Sequence, residues 1–96
     1  MHARVTTVAG SPADVDAGID NFHANVVPFA REQGKGAILL IDRQSGEGIA
    51  ITLWEDEEAL RASEESAKAL RADAADQMGA TAEPNVGRYE VAVFEV

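Results

Sequence analysis

The chain has 96 residues, no cysteine, 8 basic against 17 acidic side chains and a formal net charge of −9. That length points to one domain, and the missing cysteines exclude a disulfide scaffold, a thiolate zinc site and a cysteine nucleophile. The acidity repels polyphosphate and anionic lipid, so neither nucleic acid nor a membrane surface is an expected partner. A hydrophobic content of 46% is too high for a disordered chain, yet the apolar runs are too short to cross a bilayer. A chain this small buries only roughly 65% of its unfolded surface, which makes self-association an early expectation.

Val5-Thr6-Thr7-Val8 is a β-branched run that reads as the first strand, with no apolar signal-peptide core before it; a cytoplasmic protein is expected. Gly10 breaks the strand and Ser11-Pro12-Ala13-Asp14 reads as a helix start, with Ser11 as the cap, Pro12 at the first helical position and Asp14 near the positive end. Val15, Ile19, Phe22, Val26 and Phe29 then recur at steps of four, three, four and three, one apolar helical face. Pro28 lies inside this pattern and predicts a kink near Asn25 to Val27, with the helix finished by Gln33.

Gly34-Lys35-Gly36 supplies residues able to take positive φ, and residues 37–41 are a continuous apolar run of strand length. The turn-forming residues 42–48 connect it to a second strand ending at Trp54, so residues 37–54 form a β-hairpin. Asp56 caps the next helix, which its apolar spacing carries through Leu60, Ser63, Ala67, Leu70 and Ala74 to Gly79. Residues 79–87 read as a loop and 88–96 as the last strand, apolar on both faces.

The order β-α-β-β-α-β is that of a ferredoxin-like α+β sandwich, with both helices on one face of a four-stranded antiparallel sheet. Helices can cover one face only, yet both alternating sets of the strands are largely apolar. The expected cover for the other face is an identical subunit, sheet against sheet.

Residues 41–55, from Ile41-Asp42-Arg43 through the Gly46-Glu47-Gly48 turn to Leu53-Trp54-Glu55, and the helix start Glu57-Glu58-Ala59-Leu60 resemble the antibiotic biosynthesis monooxygenase-like (ABM) family of dimeric α+β barrels. The resemblance covers nearly the whole chain, 1–96, by element order. It implies a homodimer joined through the sheet faces. It also implies one of several activities: cofactor-independent oxygenation of polycyclic aromatics, haem degradation, or quinol or autoinducer modification. Fold does not choose among them.

Trp54, at the end of a strand, is a ring large enough to wall a cavity between sheet and helices, or to anchor a core or interface. Oxygenases of the resembled family position substrate with a tryptophan, which implies that role for Trp54. Phe22 belongs to the apolar helix face, and His23 borders it, placed either to meet a ligand as base or hydrogen-bond partner or to remain at the helix edge. Asn21, Asn25 and Asn85 are candidates because the resembled oxygenases hold a phenolate or carbanion with polar groups. Asn25 also fits the helix irregularity before Pro28, and Asn85 fits a turn. Tyr89 and Arg88 open the last strand, where they orient an acidic aromatic ligand or simply serve edge pairing and surface charge.

No histidine lies in residues 56–78, where the resembled haem-degrading proteins carry their iron ligand, so haem is not expected. The two histidines stand 21 residues apart with no clustered carboxylates, and Gly46-Glu47-Gly48 lies in a hairpin turn and not between strand and helix. No metal, flavin or nucleotide cofactor is expected. The acidic pairs at 57–58 and 64–65 read as capping charge and a solvated helical face. Two functions remain open: a cofactor-independent monooxygenase acting on a small, largely apolar aromatic molecule, and a non-catalytic ligand-binding or structural dimer.

Overall fold

The β-branched N-terminal run forms β1, His2–Ala9, in a computed structural model that describes all of residues 1–96. With β2 (Gly36–Ile41), β3 (Glu47–Trp54) and β4 (Asn85–Glu90) it makes one antiparallel sheet ordered β2-β3-β1-β4. Two crossovers carry the helices, giving the ferredoxin-like α+β fold that the element order predicts. No helix is long and apolar enough to cross a membrane.

The first crossover is irregular for reasons visible in its residues. Pro12–Asp14 form a 3-10 turn that runs into α1, Val15–Asn21. Ser11 does not cap it with its side chain, as expected from sequence; its carbonyl accepts from Asp14 N at 3.0 Å, while its N–H donates to Met78 O at 2.8 Å and ties the helix start to the end of the second crossover. Phe22–Val26 form a π-helical turn before α2, Val27–Gln33. Pro28 has no N–H for the carbonyl of Ala24 and its ring would strike it, so the helix widens just upstream, where Val27 N donates to Phe22 O. The irregularity therefore overlaps the stretch, Asn25 to Val27, where Pro28 predicts one.

The second crossover is two helices where sequence predicts one: α3, Glu57–Ala62, and α4, Glu64–Gln77. Asp56 caps α3, accepting from Ala59 N at 2.8 Å. The interruption is at Ser63, whose hydroxyl donates back to Leu60 O at 2.7 Å, a carbonyl that also accepts from the Arg4 guanidinium at 2.9 Å. At the far end Gly79 takes φ 64°, and Ala80 N returns to Ala75 O, closing α4 with a Schellman turn.

The last strand is displaced from its predicted place. Asn85–Gly87 belong to β4 and not to a loop, and the ladder stops at Glu90. Register explains this: His2 pairs with Glu90, so later residues run past the start of β1 and find only Met1 O, which accepts from Val91 N. Residues 92–96 are exposed, Val93 and Phe94 among them.

Register also assigns the faces. Arg4, Thr6 and Val8 of β1 stand opposite Thr52, Ala50 and Gly48 of β3, and these face the helices together with Ala37, Leu39 and Ile41. Val5, Ile49, Ile51, Leu53, Ile38 and Leu40 point to the other side, which no helix covers; the first four are half-buried, and Ile38 and Leu40 are exposed.

Candidate functional site

A cavity of about 60 Å³ lies between the helix-covered sheet face and the two crossovers. Its floor is Arg4, Thr6, Val8, Leu39, Gly48, Ala50 and Thr52; its roof is Gly18, Asn21, Phe22, Val26 and Phe29 from the first crossover and Ala67, Leu70, Arg71, Ala74 and Met78 from the second. The π turn contributes Phe22 and Val26, so the irregularity imposed by Pro28 shapes the roof. Met78 seats between two glycines: a Cβ on Gly18 would come within 2.6 Å of its Cγ, and one on Gly48 would collide with its Cε. Only an unbranched, flexible side chain fills that slot and can still move aside.

Beside this cavity, a groove of about 410 Å³ runs along Ile19, Phe22, His23, Val27, Ala37, Leu39 and Ile41. Phe22 and Leu39 line both spaces and form the partition between them.

The polar end of the cavity is built on Arg4, only 3% exposed. Its Nη2 donates to Leu60 O at 2.9 Å, Ser63 Oγ at 2.9 Å and Glu64 Oε2 at 3.0 Å. Glu64 also accepts from Arg71 at 3.2 Å and from Arg88 on β4. Burial lowers the Arg4 pKa, the Glu64 charge opposes that, and the Arg71 and Arg88 charges add to it; a guanidinium nonetheless stays charged at neutral pH. Burial pushes the Glu64 carboxyl up, but the hydrogen bond from Arg88, the charge of Arg4 and the hydrogen bond from Arg71 outweigh it and hold Glu64 below its ordinary value. Arg4 Nε and Arg71 Nη1 are buried without a hydrogen-bond partner.

Trp54 is fully buried and sits one layer behind the cavity. Its Nε1 donates to Thr52 Oγ1 at 3.0 Å, Phe29 meets its ring edge-on at 5.5 Å, and the Arg4 guanidinium lies over it at 5.4 Å. Each of those three neighbours borders the cavity, so Trp54 acts on the site through them.

Of the other sequence candidates, Phe22 borders the cavity and His23 is exposed in the adjoining groove. Asn25 is exposed and donates to Asn21 Oδ1 at 2.7 Å; it is Asn21 that reaches the cavity wall. Tyr89, 59% exposed, stands opposite Ala3 on the uncovered side and lies over Gly87, where a Cβ would come within 2.5 Å of its hydroxyl. Asn85 pairs with Thr7 at the start of β4. Arg88 pairs with Glu64, which is not part of a solvated acidic face but the hub of three arginines. Arg4, Arg71, Glu64 and Met78 escaped sequence reasoning. The one available signal was a charged side chain, Arg4, inside a β-branched strand and in phase with Thr6 and Val8.

No family model matches the chain. Two Mycobacterium tuberculosis proteins of strain H37Rv are similar over 98% of it: the uncharacterized protein Rv2557, 36% identical, and the uncharacterized protein Rv2558, 38% identical. The chain spans only 42% and 40% of their lengths. Among solved structures, the monooxygenase from the gene ActVA-Orf6 of Streptomyces coelicolor, in complex with the ligand nanaomycin D, superposes with a TM-score of 0.74 at 20% identity, covering 99% of this chain and 92% of that one. The NE2512 protein of unknown function from Nitrosomonas europaea gives 0.73 at 20% identity with the same coverage. The chain thus shares the fold of these two structures, a likeness carried by structure alone.

Proposed function

We propose that the protein binds a small, largely apolar aromatic molecule between its sheet and helices and oxygenates it without a cofactor, as a cytoplasmic homodimer of the ABM type. The observation that carries this reading is an apolar cavity with one polar end, partitioned from a longer apolar groove by Phe22 and Leu39. A ligand pocket usually measures several hundred Å³, so the ligand occupies groove and cavity together, with Phe22 and Met78 shifting to admit it. The monooxygenase character of the Streptomyces coelicolor fold neighbour supports the chemistry. His23 in the groove is the candidate proton acceptor, Trp54 holds the polar wall in place, and the apolar lining keeps water from the substrate anion.

The uncovered face supports the homodimer. Val5, Ile38, Leu40, Ile49, Ile51 and Leu53 form an apolar sheet surface, and the unpaired Val93 and Phe94 extend beyond it. A second copy placed face to face would bury both.

One observation favours the alternative of a non-catalytic binding dimer: no histidine or carboxylate lines the cavity itself. 1-Naphthol separates the two readings. Oxidation by one dioxygen yields naphthoquinone and one water, the ring supplying the electrons, so atoms balance without an added reductant. Oxygen uptake with quinone formation, reduced by His23→Ala, is the expected result. Saturable binding without uptake supports the binding dimer, and no binding overturns both.

A further inference from the structure

We infer that Met78 sets the length of the ligand: its thioether is the stopper at the end of the cavity farthest from Arg4, and the chain selects a bicyclic body over a longer tricyclic one. This rests on the small-molecule reading above and adds the residue that decides size. The cavity floor runs in register from Arg4 opposite Thr52, through Thr6 opposite Ala50, to Val8 opposite Gly48. Met78 reaches over that last pair, so the polar and the stoppered ends lie four strand residues, about 13 Å, apart.

Two glycines make room for it. Gly18 lies inside α1 and Gly48 inside β3, positions where glycine is less stable than alanine. Neither takes a positive φ, unlike Gly36, Gly46 and Gly79, so backbone conformation does not explain them. Space does. The three atoms nearest to an added Cβ at Gly18 all belong to the Met78 side chain, and the nearest at Gly48 is Met78 Cε. At Gly10, Gly34 and Gly46 the nearest atom is instead a backbone carbonyl oxygen, as close packing of chain on chain requires. Met78 is 5% exposed and its backbone is fixed, the N–H donating to Ala74 O at 3.0 Å and the carbonyl accepting from Ser11 N at 2.8 Å. Only the side chain can yield. Its retreat is limited as well, because Gly10 packs against it, an added Cβ there coming within 3.2 Å of Met78 Cβ. A flexible thioether between two glycines therefore adapts to the end of a ligand and then stops it.

Isothermal titration calorimetry with 1-naphthol and the tricyclic 1-anthrol tests this on the intact protein. Wild type should bind 1-naphthol more tightly by about tenfold or more. Met78→Ala, which removes Cγ, Sδ and Cε, should shift that ratio toward 1-anthrol by about tenfold or more. A loss of packing alone would weaken both phenols alike and leave the ratio unmoved. Gly48→Ala keeps Met78 but places a methyl against its Cε, driving the thioether into the cavity, and should weaken 1-naphthol binding by about tenfold. If Met78→Ala fails to fold by circular dichroism, Gly48→Ala decides, and an unchanged 1-naphthol affinity overturns the stopper. Equal binding of the two phenols by wild type, or an unchanged ratio in Met78→Ala, also overturns it and leaves the cavity reading standing. Binding of neither phenol overturns the cavity reading, and the stopper with it.

Discussion

The two faces of the sheet differ in how polarity and burial are combined. The helix-covered face carries Arg4, Thr6 and Thr52, all buried, whereas the uncovered face carries Val5, Ile38, Leu40, Ile49, Ile51 and Leu53, none of them buried. A strand ordinarily turns its apolar set inward. Polar side chains tolerated under helices, each held by specific hydrogen bonds, are what a binding site requires. Apolar side chains left open are what a partner surface requires. On the proposed reading each face awaits something the single chain does not contain: a ligand on one side, a second copy on the other.

Substitutions on the two faces should therefore fail differently. Trp54→Ala removes the most buried large ring and should lower unfolding stability by roughly 3–5 kcal/mol in chemical denaturation, with the midpoint falling and the dimer lost only as the protein unfolds. Ile51→Glu, on the uncovered face, should weaken the dimer on the order of a hundredfold in sedimentation equilibrium while circular dichroism of the chain stays the same. If it unfolds the chain without changing association, the contrast between the faces fails.

Glu64→Gln sharpens the comparison from the covered side, leaving three arginines without their carboxylate at a cost of roughly 2 kcal/mol. Its pH dependence has a definite sign. The folded-state pKa of Glu64 is depressed, so its contribution is complete above the unfolded carboxylate value and is lost as pH falls through the folded one. Wild-type stability should decline in that acidic window, and the Gln variant should decline less. The smallest effect belongs to a position remote from both faces. Asp56→Ala removes the α3 cap and should cost about 1 kcal/mol, with no change in dimerisation or ligand binding.

What could be read from sequence was local. Pro28 announces the widened turn because the missing N–H acts on its own helix, Asp56 announces a helix because its carboxylate reaches Ala59 three residues on, and the residue 42–46 turn announces the hairpin. What could not be read depends on distant partners. Glu64 looks like one more acidic helix residue until β1 brings Arg4 to it across 60 positions and β4 brings Arg88. The second crossover breaks at Ser63, whose hydroxyl shares the Leu60 carbonyl with Arg4 of β1. The β4 boundary follows from where β1 begins, which no pattern within residues 88–96 encodes. The same limit applies to the candidate site. Phe22 was legible from helical spacing; Trp54, read as a cavity wall or an anchor, lies behind the cavity, His23 lies in the adjoining groove, and the arginine pair at the cavity's end was not legible.

Methyl-resolved NMR during titration with 1-naphthol addresses the central contrast most directly, because Leu39 and Leu40 are adjacent residues on opposite faces. The account predicts saturable shifts at Leu39, Leu70 and Met78, which line the cavity, with Ile38 and Leu40 unmoved. Shifts confined to Ile38 and Leu40, or none at Leu39, Leu70 and Met78, would contradict it.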